Sequence, residues 1–118
     1  MFLNLAQIQM PVGALTSIAH RVTGILLAIG IPFTIYILDL SLQSQQSYAS
    51  LIHLLDGWAY KAMAVVFVWV LAHHLLAGTR HLLMDVDVGS LLPTARRSAW
   101  VVNVGGVVVA LLAAGVFL

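Results

Sequence analysis

Five His can offer an imidazole to a metal and five Lys/Arg a cation to an anion, and most of them gather in two short stretches. Ser17, His20 and Arg21 form the first; His73, His74, Arg80, His81 and Asp85 form the second. On a helix, at about 100° per residue, Gly78, His81 and Asp85 fall within roughly 40° of His74. His73 and Arg80 make a second stripe about 100° further round. In the first stretch Ser17, Arg21 and Gly24 share one face, with His20 close beside them. A histidine with a glycine one turn away suits a haem. Neutral imidazole is a good axial ligand, and Gly78 leaves a gap for the porphyrin edge. Haem propionates call for cations or donors nearer the water, a role open to His20, Arg21, Arg80 and His81. The Ser17 hydroxyl and Arg21 guanidinium, a turn apart, suit a quinone carbonyl that accepts from both, and the cation stabilises negative charge developing on reduction.

Each of these readings has a plainer one beside it. His74 alone serves equally as an interhelical hydrogen-bond donor. Arg80, His81 and Asp85 also fit a snorkelling interfacial cluster, and Ser17 and Arg21 a helix start and its anchor. His53 reads as a solvated loop residue, and His73, turned away from His74, as a packing or hydrogen-bonding one. The coincidence of His74, Gly78 and a second polar helix at matching depth favours cofactor binding.

The elements that must position these residues follow from composition. The chain has 118 residues, 62% hydrophobic and 8% charged, with a mean hydropathy of +1.05. A soluble domain is about a quarter charged, so this is an all-α integral membrane protein. A net charge of +1 provides no basic footprint for nucleic acid. The lack of Cys excludes disulfides, thiolate metal sites and c-type haem attachment. A spanning helix needs about 20 apolar residues, and three segments qualify: Leu15–Leu40, Gly57–Met84 and Trp100–Leu118. A Ser/Gln-rich connection and a short surface helix over 51–56 separate the first two. Pro32 inside the first span is expected to kink it. The third span carries a small-residue stripe, Gly106, Ala110 and Ala114, able to pack closely on this chain or on a partner. The 41–57 connection has no Lys or Arg, whereas Arg96 and Arg97 follow the second span. Positive-inside therefore places the N-terminus and the 85–99 loop in the cytoplasm. His74 then lies about 16 Å in from Asp85, near mid-membrane.

Ser17-Ile18-Ala19-His20-Arg21-Val22-Thr23-Gly24 reads as S-I-x-H-R-x-[ST]-G, and the run from His74 to Asp85 reads as H-x-x-x-G-x-R-H-x-x-x-D. Together they resemble the cytochrome b membrane-anchor subunit of succinate dehydrogenase, and the Leu3–Pro11 stretch resembles that family's approach to its first helix. The resemblance covers nearly the whole chain. It implies one membrane-anchor domain over 1–118, with three transmembrane helices forming part of a heteromeric bundle. A second small anchor subunit would share one haem b and a ubiquinone site with it, and an iron–sulfur subunit and a flavoprotein subunit would dock on the cytoplasmic face. By this resemblance His74 is one axial haem ligand, with the other supplied by the partner anchor. Ser17 and Arg21 contact quinone. His20, with Arg21 sharing the role, lies near a haem propionate. Gly78 keeps the haem-pocket role that its spacing from His74 suggests. Arg80, His81 and Asp85 match the motif and are assigned to haem-propionate or pocket contacts or to docking of the iron–sulfur subunit. No residue acts on the dicarboxylate. The chain starts almost at the membrane and lacks room for a mitochondrial presequence, so a bacterial inner membrane is expected. The rivals are a self-contained cytochrome with His20 and His74 as both ligands, and a haem-free structural anchor.

Overall fold

The computed structural model describes residues 11–118. The approach to the first helix over residues 3–10 lies outside them. Four helices follow in order: α1 (Val12–Gln43), α2 (Gln45–Leu55), α3 (Trp58–Asp85) and α4 (Leu92–Phe117). The described residues form no strand. α1, α3 and α4 are each long and apolar enough to cross a bilayer, as expected of a multi-pass membrane protein.

The boundaries have local causes. α1 runs unbroken through Pro32, and Gly30, two residues earlier, makes room for Phe67: a Cβ there would fall 3.1 Å from its ring. α1 ends where Ser44 turns extended and caps α2, its side chain accepting from the Ser47 amide at 2.9 Å. The Ser47 hydroxyl donates to the Leu40 carbonyl at 2.6 Å, satisfying one of the orphan carbonyls of a helix end. α2 thus folds back on α1 and buries Leu51, while Tyr48, Ile52 and His53 remain exposed. Between α3 and α4 the chain reverses through Asp87 (φ 62°) and Gly89 (φ 75°). Glycine accepts that left-handed backbone without a steric cost.

α4 starts at Leu92, well before the expected Trp100, with Pro93 in its first turn. Proline suits that position because its missing N–H would be unbonded there anyway. Arg96 and Arg97 are therefore helical and exposed rather than part of a loop. The hydrophobic run marks only the membrane-crossing part of a helix that is already under way. The buried stripe of α4 shifts accordingly. It comprises Ala95, Ala99, Val102 and Gly106, while Ala110 and Ala114 are half-buried.

α3 is the central helix, and α1 and α4 both pack on it. One polar knot ties all three spans. Asn103 Oδ1 lies 3.0 Å from His73 Nε2 and 3.2 Å from the Thr16 hydroxyl, which also donates to the Val12 carbonyl at 2.9 Å. Thr16 and His73 are buried, at 1% and 3% exposure. Gly106 admits this approach, since a Cβ there would fall 3.4 Å from His73 Cβ. In a membrane the hydrophobic effect does not hold helices to one another, so such contacts and close packing must do so.

Asn103→Leu removes the shared acceptor and strands the buried His73 Nε2 donor, while the Thr16 hydroxyl keeps the Val12 carbonyl. Leaving buried polar groups unpaired costs about 1–3 kcal/mol. The thermal denaturation midpoint of the purified complex in detergent should fall, with Asn103→Gln partly restoring it. An unchanged midpoint in Asn103→Leu would show that the knot carries no stability.

Candidate functional site

The seam between α1 and α3 holds the residues of both motifs. The helices run antiparallel, and each carries a histidine followed by a glycine one turn later: His20 with Gly24, His74 with Gly78. Each imidazole sits at the other helix's glycine. A Cβ on Gly24 would fall 3.1 Å from His74 Cε1, and one on Gly78 would fall 3.3 Å from His20 Nε2. The expected gap at Gly78 is thus filled, in this chain, by the His20 ring. The two rings stack, with centroids 4.2 Å apart and planes at 13°. His81 continues the column, its ring centroid 6.4 Å from that of His20 at an interplanar angle of 14°.

His74 is held by its Nδ1, which lies 3.2 Å from the His20 carbonyl and 3.1 Å from the Thr23 hydroxyl. A carbonyl only accepts, so Nδ1 carries a proton, and in the neutral ring Nε2 then keeps its lone pair. This tautomer is inferred from the hydrogen-bond network. Nε2 makes no hydrogen bond among the described residues, and His74 is only half-buried. An imidazole held at one nitrogen with the other uncommitted is what a metal ligand requires. The stacked rings face one another. They do not direct two nitrogens at one metal from opposite sides, so the arrangement does not favour His20 and His74 as a bis-His pair.

Toward the end of the bundle where α1 begins, the same seam opens into a cavity of about 570 Å³. Ser17, Arg80, His81, Asp85, Ser90 and Arg96 are its polar lining residues. Ligand pockets span about 300–1,000 Å³. Arg21 is exposed and does not line this cavity, so within this chain Ser17 and Arg21 do not converge on one volume. Arg80 is largely engaged. Its Nε donates to the Ser98 hydroxyl at 3.0 Å and its Nη2 to the Ala95 carbonyl at 3.1 Å. Asp85 is exposed. The second stripe of α3, His73 and Arg80, thus faces α4, whereas His74 and His81 face α1.

Sequence reasoning passed over Thr23, Asn103 and Ser98. Asn103 had a signal, a single amide in an otherwise apolar run. Thr23 had one as well, the hydroxyl position of S-I-x-H-R-x-[ST]-G, but a threonine in a membrane helix ordinarily bonds its own backbone, and the motif names no partner for it.

With this geometry in hand, the comparisons with known proteins are specific. Residues 1–113 match the family model described as the succinate dehydrogenase/fumarate reductase transmembrane subunit. The chain is similar to the succinate dehydrogenase cytochrome b556 subunit of Coxiella burnetii (strain RSA 493 / Nine Mile phase I), at 35% identity over 118 residues. That match covers 98% of this chain and 93% of the relative. It is also similar to the protein of the same name from Paracoccus denitrificans, at 33% identity over 109 residues, covering 92% of this chain and 84% of the relative. The three apolar helices, the paired histidine motifs and the near full-length matches agree, and the chain belongs to the succinate dehydrogenase/fumarate reductase transmembrane subunit family.

Proposed function

We propose that this chain anchors a succinate:quinone oxidoreductase in a bacterial inner membrane, supplies one axial ligand to a haem b, and contributes to the site where ubiquinone is reduced. The observation that carries this reading is the geometry of His74: its Nδ1 lies 3.2 Å from the His20 carbonyl, and its Nε2 makes no hydrogen bond among the described residues. The donor set fits haem b, whose non-covalent attachment needs no Cys. A bound haem supplies a one-electron carrier within the membrane. His74 Nε2 would hold the iron from this chain, and the second anchor subunit would supply the other ligand. His20, Arg21 and His81 form this chain's side of the pocket, with Gly78 seating the His20 ring. The naming of both relatives as cytochrome subunits supports the assignment.

For the quinone, Ser17 donates its hydroxyl proton to a carbonyl from the rim of the cavity that it shares with His81 and Asp85. Arg21, one turn along the same helix and exposed, with no hydrogen bond or ion pair among the described residues, offers a fixed cation to a partner's side of the site. Its charge stabilises the negative charge that develops as electrons arrive from the iron–sulfur subunit. The dicarboxylate is oxidised in the flavoprotein subunit, and nothing in this chain touches it. Arg80, Arg96, Arg97 and Asp85 lie at the end of the bundle where α1 begins, which positive-inside assigns to the cytoplasm. Arg96, Arg97 and Asp85 are exposed there for the soluble subunits to dock.

In the assembled complex, a reduced-minus-oxidised visible spectrum should show sharp low-spin b-type bands that vanish or shift in His74→Ala. Unaltered bands would remove His74 from the iron, and a wild-type complex without such bands would be a haem-free anchor. Ser17→Ala and Arg21→Ala should each lower quinone reductase turnover roughly tenfold, the equivalent of one hydrogen bond of about 1.4 kcal/mol. Dye-linked succinate oxidation should persist. Full quinone activity in both variants would end the assignment. The chain has no Cys, so Ser50→Cys in exposed α2 should react with a membrane-impermeant maleimide in intact spheroplasts. Labelling only after lysis would reverse the orientation.

A further inference from the structure

Four threonines of the spanning helices bond their own backbone, and one of them does so differently. Thr16, Thr34 and Thr79 each donate to the carbonyl four residues earlier, the ordinary outlet for a hydroxyl in an apolar helix. Thr23 donates instead to the carbonyl three residues earlier, that of His20, at 2.9 Å. That carbonyl also lies 3.2 Å from His74 Nδ1, and the Thr23 oxygen lies 3.1 Å from the same nitrogen. The three groups close a triangle. Thr23 spends its own proton on the carbonyl, so its lone pair is what faces Nδ1–H. One ring proton is thereby shared between two acceptors.

We propose that Thr23 is a positioning residue for His74, setting both the orientation and the basicity of that imidazole toward a bound haem; this rests on the reading of His74 as an axial ligand. Thr23 is buried at 1% exposure in the α1/α3 seam. Valine would fill the same volume at a smaller desolvation cost. What valine cannot do is accept a proton from Nδ1. Hydrogen bonds to the outer nitrogen of a ligating histidine fix its tautomer, orient its ring and strengthen it as a donor. A stronger donor favours the oxidised, more positive metal. Removing the hydroxyl therefore weakens the hold on the ferric state more than on the ferrous state. Stacking of His20 on the face of the ring and the closeness of Gly24 limit how far His74 can turn to find a substitute.

The test is a redox titration of the haem in the assembled complex, followed by its visible bands, for wild type, Thr23→Val and Thr23→Ser. The loss of such a partner changes metal affinity by about 10–100-fold. A tenfold preferential loss for the ferric form moves the midpoint of a one-electron couple by about 59 mV, here to a more positive potential. Thr23→Val should show this shift, and Thr23→Ser, which keeps the hydroxyl, should return toward wild type. Thr23→Ala, which adds no bulk, gives the same readout if valine disturbs assembly. A purely structural role would lower thermal stability and leave the midpoint and bands untouched, and that result overturns the proposal. A wild-type complex with no haem bands, or His74→Ala with unaltered ones, would overturn the underlying ligand assignment instead, so the two failures are distinguishable.

Discussion

Membrane helices come into close contact where side chains are small, and here α1 and α3 fill the resulting notches with each other's imidazoles. His20 occupies the notch at Gly78 and His74 the notch at Gly24. The exchange is reciprocal because the helices are antiparallel and each carries the same four-residue spacing of His and Gly. It brings two polar rings to a stacked separation of 4.2 Å and lets the backbone carbonyl of one helix meet the ring nitrogen of the other. In a medium without water that contact also satisfies a donor that would otherwise cost free energy. The rotation of α3 about its axis is pinned by this interlock, and the placement of every other polar group on α3 depends on it.

The adjacency of His73 and His74 shows what that pinned rotation accomplishes. One residue turns a helix by about 100°, so neighbouring histidines meet different environments. His74 looks into the α1 seam with Nε2 free. His73 is buried against α4, bonded to Asn103 and packed near Trp69 and Gly106. The pattern repeats two turns later, where His81 continues on the α1 side and Arg80 is tied to Ser98 and Ala95 of α4. α3 thus uses one face as polar glue and the other as the place where chemistry can be offered.

Few side chains are enclosed by this chain alone. Only 6% of the most apolar window of α1 is buried, and large residues such as Ile25, Phe33 and Trp58 are exposed. Apolar surface of this kind is at home against lipid tails or further helices. A subunit of a larger membrane complex has both to cover it. The half-buried His74 and the exposed Arg21 lie on this incompletely covered surface.

Much was legible in the linear order of residues. Three apolar runs of sufficient length specify three spans, because lipid demands that backbone groups be satisfied within a helix. The four-residue and seven-residue spacings separate the polar residues of α3 into two stripes, because helix geometry is regular. The paired motifs indicate the family. The start of α4 was not legible, since hydropathy registers the membrane and not the helical turns that precede it. Tertiary structure alone decided that His20 would fill the gap at Gly78, that Arg21 would stay out of the cavity lined by Ser17, and that Thr23 and Asn103 would find partners on other helices. Those outcomes depend on the register and rotation of one helix against another. Close approach at a few glycines sets these quantities, and no single segment encodes them.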